Sequence, residues 1–241
     1  MVDAKTRDWL ERLGGDRLVD VVAIRTRWFD DAVREWARRG IRTVVTLGVG
    51  LDTRHRRLGL DGIRFVEVDR AQVLKHRSSA LGLPPHEGDV ISGDLREART
   101  FAAIAPRLKR RGASPYLFVV EGLLAYLPEH AATQFLKRVA RLCTQDSVVL
   151  FDVPDVASVD FDGPLAKQLS QQRDLGAPLR FGVAGPIRWA ELAGLRAEAV
   201  SLGSIGARLG RLSAEIKAAP RTFLATARVR SASGRSIEPG E

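Results

Sequence analysis

Cysteine is almost absent from this chain of 241 residues, and long apolar runs are missing altogether. Cys143 is the only cysteine, so an internal disulfide has no partner, which suits a reducing compartment. No apolar run reaches the roughly 20 residues of a membrane-spanning helix. The polar start of the chain also lacks the apolar core of a signal peptide. These absences predict a cytoplasmic protein without a membrane partner.

Lysine is scarce as well, because 32 of the 38 basic residues are arginine, and the formal net charge is +9. Basic proteins often bind nucleic acid. Here, however, the basic residues are scattered, and they do not alternate with aromatic residues as in proteins that bind single strands. We therefore interpret the charge as that of a basic surface and do not expect nucleic acid as a partner.

Short apolar runs alternate with amphipathic segments along most of the chain. The predicted strands are Thr43–Leu47, Arg64–Val68, Asp89–Gly93, Tyr116–Val120, Ser147–Phe151, Ala197–Leu202 and Thr222–Val229. The predicted helices are Ile24–Arg39, Thr53–Leu60, Ala71–Leu81, Thr100–Arg110, Glu129–Leu142 and Ile187–Leu195. Strands that alternate with helices predict an α/β fold, doubly wound, with a mostly parallel seven-stranded sheet and helices on both faces.

A glycine loop directly follows the first predicted strand. It contains Gly48 and Gly50, and acidic residues follow the next three strands at Asp69, Asp94 and Glu121. In such sheets the ligand lies at the carboxyl ends of the strands. The recurrence of candidate residues at strand ends therefore predicts a site for a nucleotide-containing cofactor.

The residues after the glycine loop decide between cofactors. Thr53 stands where a dinucleotide fingerprint has its third glycine. The Asp52 carboxylate would repel a phosphate bound at this loop. No phosphate-binding Gly-x-x-x-x-Gly-Lys-Ser/Thr loop occurs either. A cofactor with a ribose and no phosphate, S-adenosylmethionine, fits better. Asp69 could accept from the ribose hydroxyls, Asp94 from the adenine amino group, and Arg25 could pair with the cofactor carboxylate.

Each candidate also has a purely structural alternative. Asp52, Asp69 and Asp94 could cap helices. Arg25 could be a surface residue of an amphipathic helix, and Glu121 a buried ion-pair partner. The four histidines lack metal-ligand spacing with one another or with the cysteine, so no metal site is expected.

Several motifs in combination resemble one family, the leucine carboxyl methyltransferase and tetracenomycin-type polyketide O-methyltransferase group. The matching segments are Ile24-Arg25-Thr26-Arg27-Trp28-Phe29-Asp30-Asp31, Val45-Thr46-Leu47-Gly48-Val49-Gly50-Leu51-Asp52-Thr53-Arg54, Phe65-Val66-Glu67-Val68-Asp69, Gly93-Asp94-Leu95 and Val120-Glu121-Gly122-Leu123-Leu124-Ala125-Tyr126-Leu127. The resemblance covers residues 24–153 well and weakens afterwards. It implies a class I S-adenosylmethionine-dependent methyltransferase, with a Rossmann-like sheet whose last strand is antiparallel.

The resemblance also implies roles for residues at the methionyl end of the cofactor. Arg25 would hold the cofactor carboxylate. Gly48 and Gly50 would line the methionyl part, with Asp52 nearby.

For the rest of the cofactor, the resemblance implies that Asp69 binds the ribose and that Asp94 and Leu95 frame the adenine. Glu121 would lie under the cofactor at the end of the fourth strand. Tyr126 would approach the transfer site and is the candidate catalytic residue.

We expect residues 1–230 to form a single methyltransferase domain, because no linker or internal repeat interrupts the pattern. Residues 1–40 would form a helical N-terminal cap, residues 154–187 an irregular insertion on the substrate side, and residues 231–241 a disordered tail. Family members usually carry a longer N-terminal helical segment. The pocket is therefore either more open here or completed by a second copy of the chain in a homodimer.

The acceptor is predicted to be a carboxylate or an acidic hydroxyl of a small molecule or peptide, with secondary metabolism as a setting. A carboxylate is already ionised at pH 7 and needs no general base, and the sequence offers no compelling base. Arg173, Arg180 and Arg188 could attract an anionic substrate.

Three other classes of protein stay open at this point. A nucleic-acid methyltransferase is suggested by the charge, but Glu121-Gly122-Leu123-Leu124 replaces the Asp/Asn-Pro-Pro-Tyr/Phe usual in enzymes that methylate base amino groups. A dehydrogenase that uses NAD is disfavoured by Thr53. A non-catalytic scaffold that binds the cofactor would share the same fold.

Overall fold

A single seven-stranded sheet organises the residues that the computed structural model describes, which are 16–82, 89–109, 115–159, 179–211 and 222–229. The strands are β1 Thr43–Leu47, β2 Arg64–Asp69, β3 Asp89–Ser92, β4 Tyr116–Val120, β5 Val148–Pro154, β6 Leu195–Ser201 and β7 Thr222–Val229. The helices are α1 Asp16–Arg38, α2 Arg54–Arg57, α3 Ala71–Leu81, α4 Ala98–Lys109, α5 Glu129–Leu142, α6 Pro186–Leu192 and α7 Leu202–Arg208, with 3-10 turns at Leu124–Tyr126 and Val156–Ser158.

The strand order is β3-β2-β1-β4-β5-β7-β6. Strands β1 to β5 are parallel, and β7 lies antiparallel between β5 and β6. The predicted α/β class, the mostly parallel sheet and the antiparallel last strand are therefore confirmed. The chain changes direction across the sheet between β1 and β4, which is where such folds bind their ligands.

Most element bounds follow the sequence pattern, but two helices differ. The helix predicted over Thr53–Leu60 is only the single turn Arg54–Arg57, because Gly59 adopts a left-handed φ of 55° and ends it. Helix α7 was not predicted; the Ser201 side chain caps its first turn. Helix α1 begins earlier than expected, and most other ends shift by a few residues.

Parts of the domain prediction lie outside the described residues, namely residues 1–15, residues 160–178 of the insertion and the tail 231–241. The two described ends of the insertion lie side by side. The Val183 N–H donates to the Pro154 carbonyl at 2.9 Å, and the Val156 N–H donates to the Val183 carbonyl at 3.3 Å. The segment after the gap is thereby fixed against the end of β5.

The sheet separates two apolar layers. Because side chains alternate along a strand, Phe118 of β4 and Phe151 of β5 face α4, α5 and α6, whereas Leu117 and Leu150 face α1 and α7. Each fully buried side chain of this size contributes about 1.5–3 kcal/mol relative to an exposed one. The same alternation directs Asp152 of β5 to the α1 face.

On the α1 face, one buried guanidinium joins three parts of the chain. The Arg54 side chain is only 1% exposed. Its Nε donates to Asp30 of α1 at 2.8 Å, its Nη1 to Asp52 of the glycine loop at 2.6 Å, and its Nη2 to Glu121 after β4 at 2.6 Å. We call these four residues the Arg54 cluster.

Further arginines neutralise the carboxylates of the Arg54 cluster. Arg57 donates to Asp30 and to Asp52 at 2.6 Å each, and Arg25 donates to Glu121 at 3.2 Å. Burial lowers the pKa of the Arg54 guanidinium, but Asp52 and Glu121 outweigh burial, and the net pKa lies above its ordinary value. Arg54 therefore stays charged, and α1, the glycine loop and the end of β4 are held together.

We predict that Arg54→Met lowers the free energy of unfolding by about 3–5 kcal/mol, because removing one partner leaves buried charges uncompensated. Chemical denaturation measures this loss. Arg38→Met is the control: Arg38 pairs with Glu35 on the exposed face of α1, and its removal should change stability by no more than about 0.5 kcal/mol. Equal effects of the two substitutions would contradict a joining role for Arg54.

We also predict that Gly182→Ala lowers stability by about 1–3 kcal/mol through overpacking. A Cβ at Gly182 would lie 2.6 Å from the Asp155 carbonyl oxygen, which is backbone and cannot rotate away. Gly203→Ala in α7 is the matched control, since a Cβ there meets only the Ser201 hydroxyl, at 3.9 Å. Thermal unfolding should show a lower midpoint for Gly182→Ala and an unchanged or higher one for Gly203→Ala.

Candidate functional site

A cleft of about 490 Å³ opens at the carboxyl ends of β1 to β4. This volume lies in the range of pockets for small ligands. The predicted site residues that line the cleft are Gly48, Gly50, Asp69, Asp94, Leu95 and Tyr126. The other predicted residues lie beside it on the α1 face. Asp52 and Glu121 belong to the Arg54 cluster, and Arg25 donates a hydrogen bond to Glu121.

The glycine loop brings bare backbone to the edge of the cleft. Gly48 and Gly50 adopt left-handed φ values of 81° and 50°, which favour glycine. A Cβ at Gly48 would lie 3.2 Å from Leu123 on the facing β4 side. The absence of side chains therefore keeps the cleft open at the switch point between β1 and β4.

The Asp69 carboxylate is oriented by two backbone donors at the end of β2. The Gly50 N–H donates to Oδ2 at 2.9 Å, and the Arg70 N–H donates to Oδ1 at 2.8 Å. Helix α3 receives no side-chain cap, so the helix-cap alternative for Asp69 is not what the structure shows. A carboxylate has about four acceptor positions, so Asp69 retains capacity for hydroxyl donors in the cleft.

The Asp94 carboxylate lies across the cleft, after β3. It accepts from the Arg96 backbone N–H at 2.9 Å and from Arg96 Nη2 at 2.6 Å. These bonds from Arg96 lower the pKa of the Asp94 carboxyl to about 2. Asp94 is therefore an ionised acceptor at any physiological pH, and it also stabilises the turn that leads into α4.

Arg25 of α1 lies behind Gly122, a lining residue of the cleft. Its Nε donates to Glu121 at 3.2 Å and its Nη1 to Asp152 at 3.4 Å. A Cβ on Gly122, which lines the cleft, would lie 3.2 Å from Arg25 Nη2. Within the described ranges, no residue accepts a hydrogen bond from Nη2.

Glu121 is the ion-pair partner that was considered as its alternative, whereas the helix-cap alternative for Asp52 is not what the structure shows, because the N-cap of α2 is Thr53 and has no side-chain cap. One oxygen of Glu121 accepts from Arg25 and from the Thr26 hydroxyl, and the other accepts from Arg54. Asp52 accepts from the Arg54 backbone N–H at 2.8 Å as α2 begins. Their contact with a cofactor stays a prediction.

Tyr126, the candidate catalytic residue, is 41% exposed at the rim of the cleft. Burial of part of the ring raises the pKa of its phenol above the ordinary value, against the opposing charge of Arg25. The phenol is therefore neutral at pH 7. It can donate a hydrogen bond but is a poor general base.

Sequence reasoning missed a second buried ion pair that supports the glycine loop. Arg77 of α3 donates to the Asp52 carbonyl at 2.8 Å and to Glu67 of β2 at 2.9 Å. His55 Nδ1 lies 3.1 Å from the same Glu67 carboxylate. A charged residue inside the buried run Phe65-Val66-Glu67-Val68 was the signal that could have found this pair.

The cleft rim is basic, with Arg70, Arg96 and Arg180 among its lining residues. Of the three arginines expected to attract substrate, Arg180 is the one that lies here; its backbone N–H donates to the Ala125 carbonyl at 2.7 Å. Arg188 lies on α6, outside the lining, and Arg173 lies outside the described residues.

No helix among the described residues is both long and apolar enough to span a membrane. Among these described residues, no group of three or more His, Cys, Asp or Glu side chains could hold a metal ion.

The chain is similar in sequence to a mycobacterial protein and in fold to two solved structures. A protein of Mycobacterium marinum, provisionally named an S-adenosyl-L-methionine-dependent methyltransferase, is 36% identical over 172 residues, which cover 67% of this chain and 55% of that protein. The chain thus spans about half the length of the curated relatives it matches.

Two solved structures share the fold over most of their length. A DUF574 family protein from Streptomyces avermitilis superposes with a TM-score of 0.64 at 16% identity, covering 94% of this chain and 97% of that one. A protein from Thermobifida fusca, provisionally named a methyltransferase, gives 0.63 at 17% identity, covering 92% and 85%. Identities this low show the fold alone.

The family model described as leucine carboxyl methyltransferase matches residues 2–140, more than half of the chain. The matched region contains α1, the glycine loop, the acidic strand ends at Asp69 and Asp94, and the segment from Glu121 to Tyr126. The resemblance seen in the sequence is therefore confirmed: the chain belongs to the leucine carboxyl methyltransferase family.

Proposed function

We propose that this protein is an S-adenosylmethionine-dependent methyltransferase that methylates a carboxylate or an acidic hydroxyl of a small molecule or peptide. The observation that carries the proposal is the pair of ionisable acids, Asp69 and Asp94, facing one cleft beside bare glycine backbone at the switch point. Family membership and the name of the mycobacterial relative support the same cofactor.

The residues around the cleft fit the chemical groups of S-adenosylmethionine. Asp69 offers acceptor capacity to a ribose diol, and Asp94 offers it to an adenine amino group, with Leu95 as apolar cover. Arg25 Nη2 provides a donor for a carboxylate behind Gly122. A pyrophosphate fits poorly, because the cleft contains the two carboxylates Asp69 and Asp94.

Catalysis by these residues consists mainly of binding and orientation. When bound, S-adenosylmethionine would supply a sulfonium methyl carbon for attack by an acceptor oxygen, with the carbon–sulfur bond breaking and S-adenosylhomocysteine leaving as a neutral thioether. Glu121 of the Arg54 cluster fixes Arg25, and the Gly50 N–H orients Asp69, so the two reactants can be held in line. Since Tyr126 is a neutral phenol, it would donate a hydrogen bond to the acceptor rather than remove its proton.

An acceptor that is already anionic agrees with this chemistry. A carboxylate or acidic phenol is ionised at pH 7 and needs no base. Arg180 is exposed beside Tyr126, and no carboxylate in the described part of the chain pairs with it. Polyketide O-methyltransferases, which the sequence resembles, act on small molecules, and this makes secondary metabolism the proposed setting.

We predict that Asp69→Ala weakens binding of S-adenosylhomocysteine by about 1.5–3 kcal/mol, the usual effect of losing a charged hydrogen-bond partner. Isothermal titration calorimetry measures the dissociation constants. Asp61→Ala is the matched control, since Asp61 is an exposed acid in the turn before β2, at the opposite edge of the sheet. If the wild type binds NAD and not S-adenosylhomocysteine, the proposed cofactor is wrong.

We further predict that Arg180→Gln raises the KM for an anionic acceptor by roughly tenfold or more, with little change in affinity for S-adenosylhomocysteine. A panel of small carboxylic acids and phenols, assayed with methyl-labelled S-adenosylmethionine, would supply the acceptor. Alkali releases the label from a methyl ester but not from an ether, which separates the two oxygen types. Arg188→Gln, an exposed arginine outside the cleft, is the control and should leave the KM unchanged.

A further inference from the structure

Asp152 of β5 is a buried acid that the sequence interpretation did not assign to the site. Its side chain is 7% exposed, and it lies within the apolar run Val148–Pro154. The alternation of β5 places it on the α1 face, at the end of the strand next to the cleft. A buried carboxylate at this position needs partners, and its partners are two groups of the candidate site.

The two oxygens of Asp152 bind different elements. Oδ1 accepts from the Gly122 N–H at 2.6 Å, and Oδ2 lies 3.4 Å from Arg25 Nη1. Gly122 has a left-handed φ of 63°, and a Cβ on it would lie 3.2 Å from Arg25 Nη2. Asp152 thus holds both the arginine and the glycine that lies between this arginine and the cleft.

The direction of the Arg25 guanidinium depends on its protein partners, because these contact Nε and Nη1 and leave Nη2 for a ligand. Glu121 binds Nε and Asp152 lies next to Nη1, so the guanidinium is held on two of its three nitrogens. Burial lowers the pKa of Arg25, but Asp152 and Glu121 together raise it above its ordinary value. The cation therefore persists behind Gly122, and its direction depends on these two carboxylates.

We propose that Asp152 is a positioning residue that aims Arg25 through the gap at Gly122, and that it thereby selects ligands with a free carboxylate at this end of the cleft. The inference rests on the proposed function and adds a specific element to it. Asp152 does not touch the ligand. It acts by fixing the Arg25 guanidinium and the Gly122 backbone in one arrangement.

The charges around Asp152 predict how this arrangement responds to pH. Arg25 of α1, Glu121 after β4 and Tyr126 of the 3-10 turn face it. Burial raises the pKa of the Asp152 carboxyl, and Glu121 adds to the rise, against Arg25 and the Gly122 N–H. As the pH falls through this raised pKa, Asp152 takes up a proton and loses its attraction for Arg25.

Two ligands separate positioning from general stability. S-adenosylhomocysteine carries the amino-acid carboxylate, whereas 5′-methylthioadenosine has the same nucleoside and sulfur without it. We expect Asp152→Asn to weaken binding of S-adenosylhomocysteine roughly tenfold to a hundredfold and to leave binding of methylthioadenosine within about twofold of wild type. Asp146→Asn, an exposed acid in the turn before the same strand, should change neither affinity.

A double-mutant cycle tests whether Asp152 acts through Arg25. Arg25→Gln alone should cause a similar loss of S-adenosylhomocysteine affinity, and the double variant should lose little more, since one interaction is removed in each case. Equal weakening of both ligands by Asp152→Asn, or fully additive losses, would overturn the inference and leave Asp152 a purely structural residue.

The pH dependence of the wild type provides a test that needs no variant. Affinity for S-adenosylhomocysteine should fall as the pH is lowered into the range in which the Asp152 carboxyl takes up a proton. Affinity for methylthioadenosine should stay level over the same range. Asp152→Asn should bind S-adenosylhomocysteine weakly at every pH, without that decline. If the wild type binds neither ligand, the proposed function itself fails; if it binds both with the same pH profile, only the role of Asp152 fails.

Discussion

The rest of the site depends on the guanidinium of Arg54. A charge that is only 1% exposed is tolerated because three carboxylates, from α1, the glycine loop and the end of β4, each accept one of its hydrogen bonds. The glycine loop and the segment after β4 are short and would have many conformations alone, whereas α1 is a long helix against which they can be fixed. The shared cation replaces that freedom with one arrangement, and the cleft lies directly beside it.

The acids around the sheet form two groups. Asp69 and Asp94 line the cleft, where Asp69 accepts from backbone donors and Asp94 pairs with the exposed Arg96. Glu67, Glu121 and Asp152 face the α1 and α2 side, where arginines occupy them. The abundance of arginine over lysine suits the second group, because a planar fork of five donors can bind several carboxylates at once.

The sequence was sufficient to predict the sheet, because hydrophobic alternation and strand-end glycines are local signals. Thr43–Leu47 and Tyr116–Val120 have the predicted bounds. Helix α7 could not be found in this way, since it forms by packing Leu202 and Ile205 on the sheet rather than by helix propensity. Likewise, the roles of Asp152 and Arg77 depend on partners far along the chain, which no local pattern reports.

Two structural roles are combined in the motif Gly48-Val49-Gly50-Leu51-Asp52-Thr53-Arg54. Its glycines present bare backbone to the cleft, while Asp52 and Arg54 turn away and anchor the loop to α1 and β4. A third glycine in place of Thr53 would loosen the turn just where the anchor begins. The departure from the dinucleotide fingerprint is therefore more than a missing contact to phosphate. It is the point at which the loop changes from lining the cleft to holding the fold together.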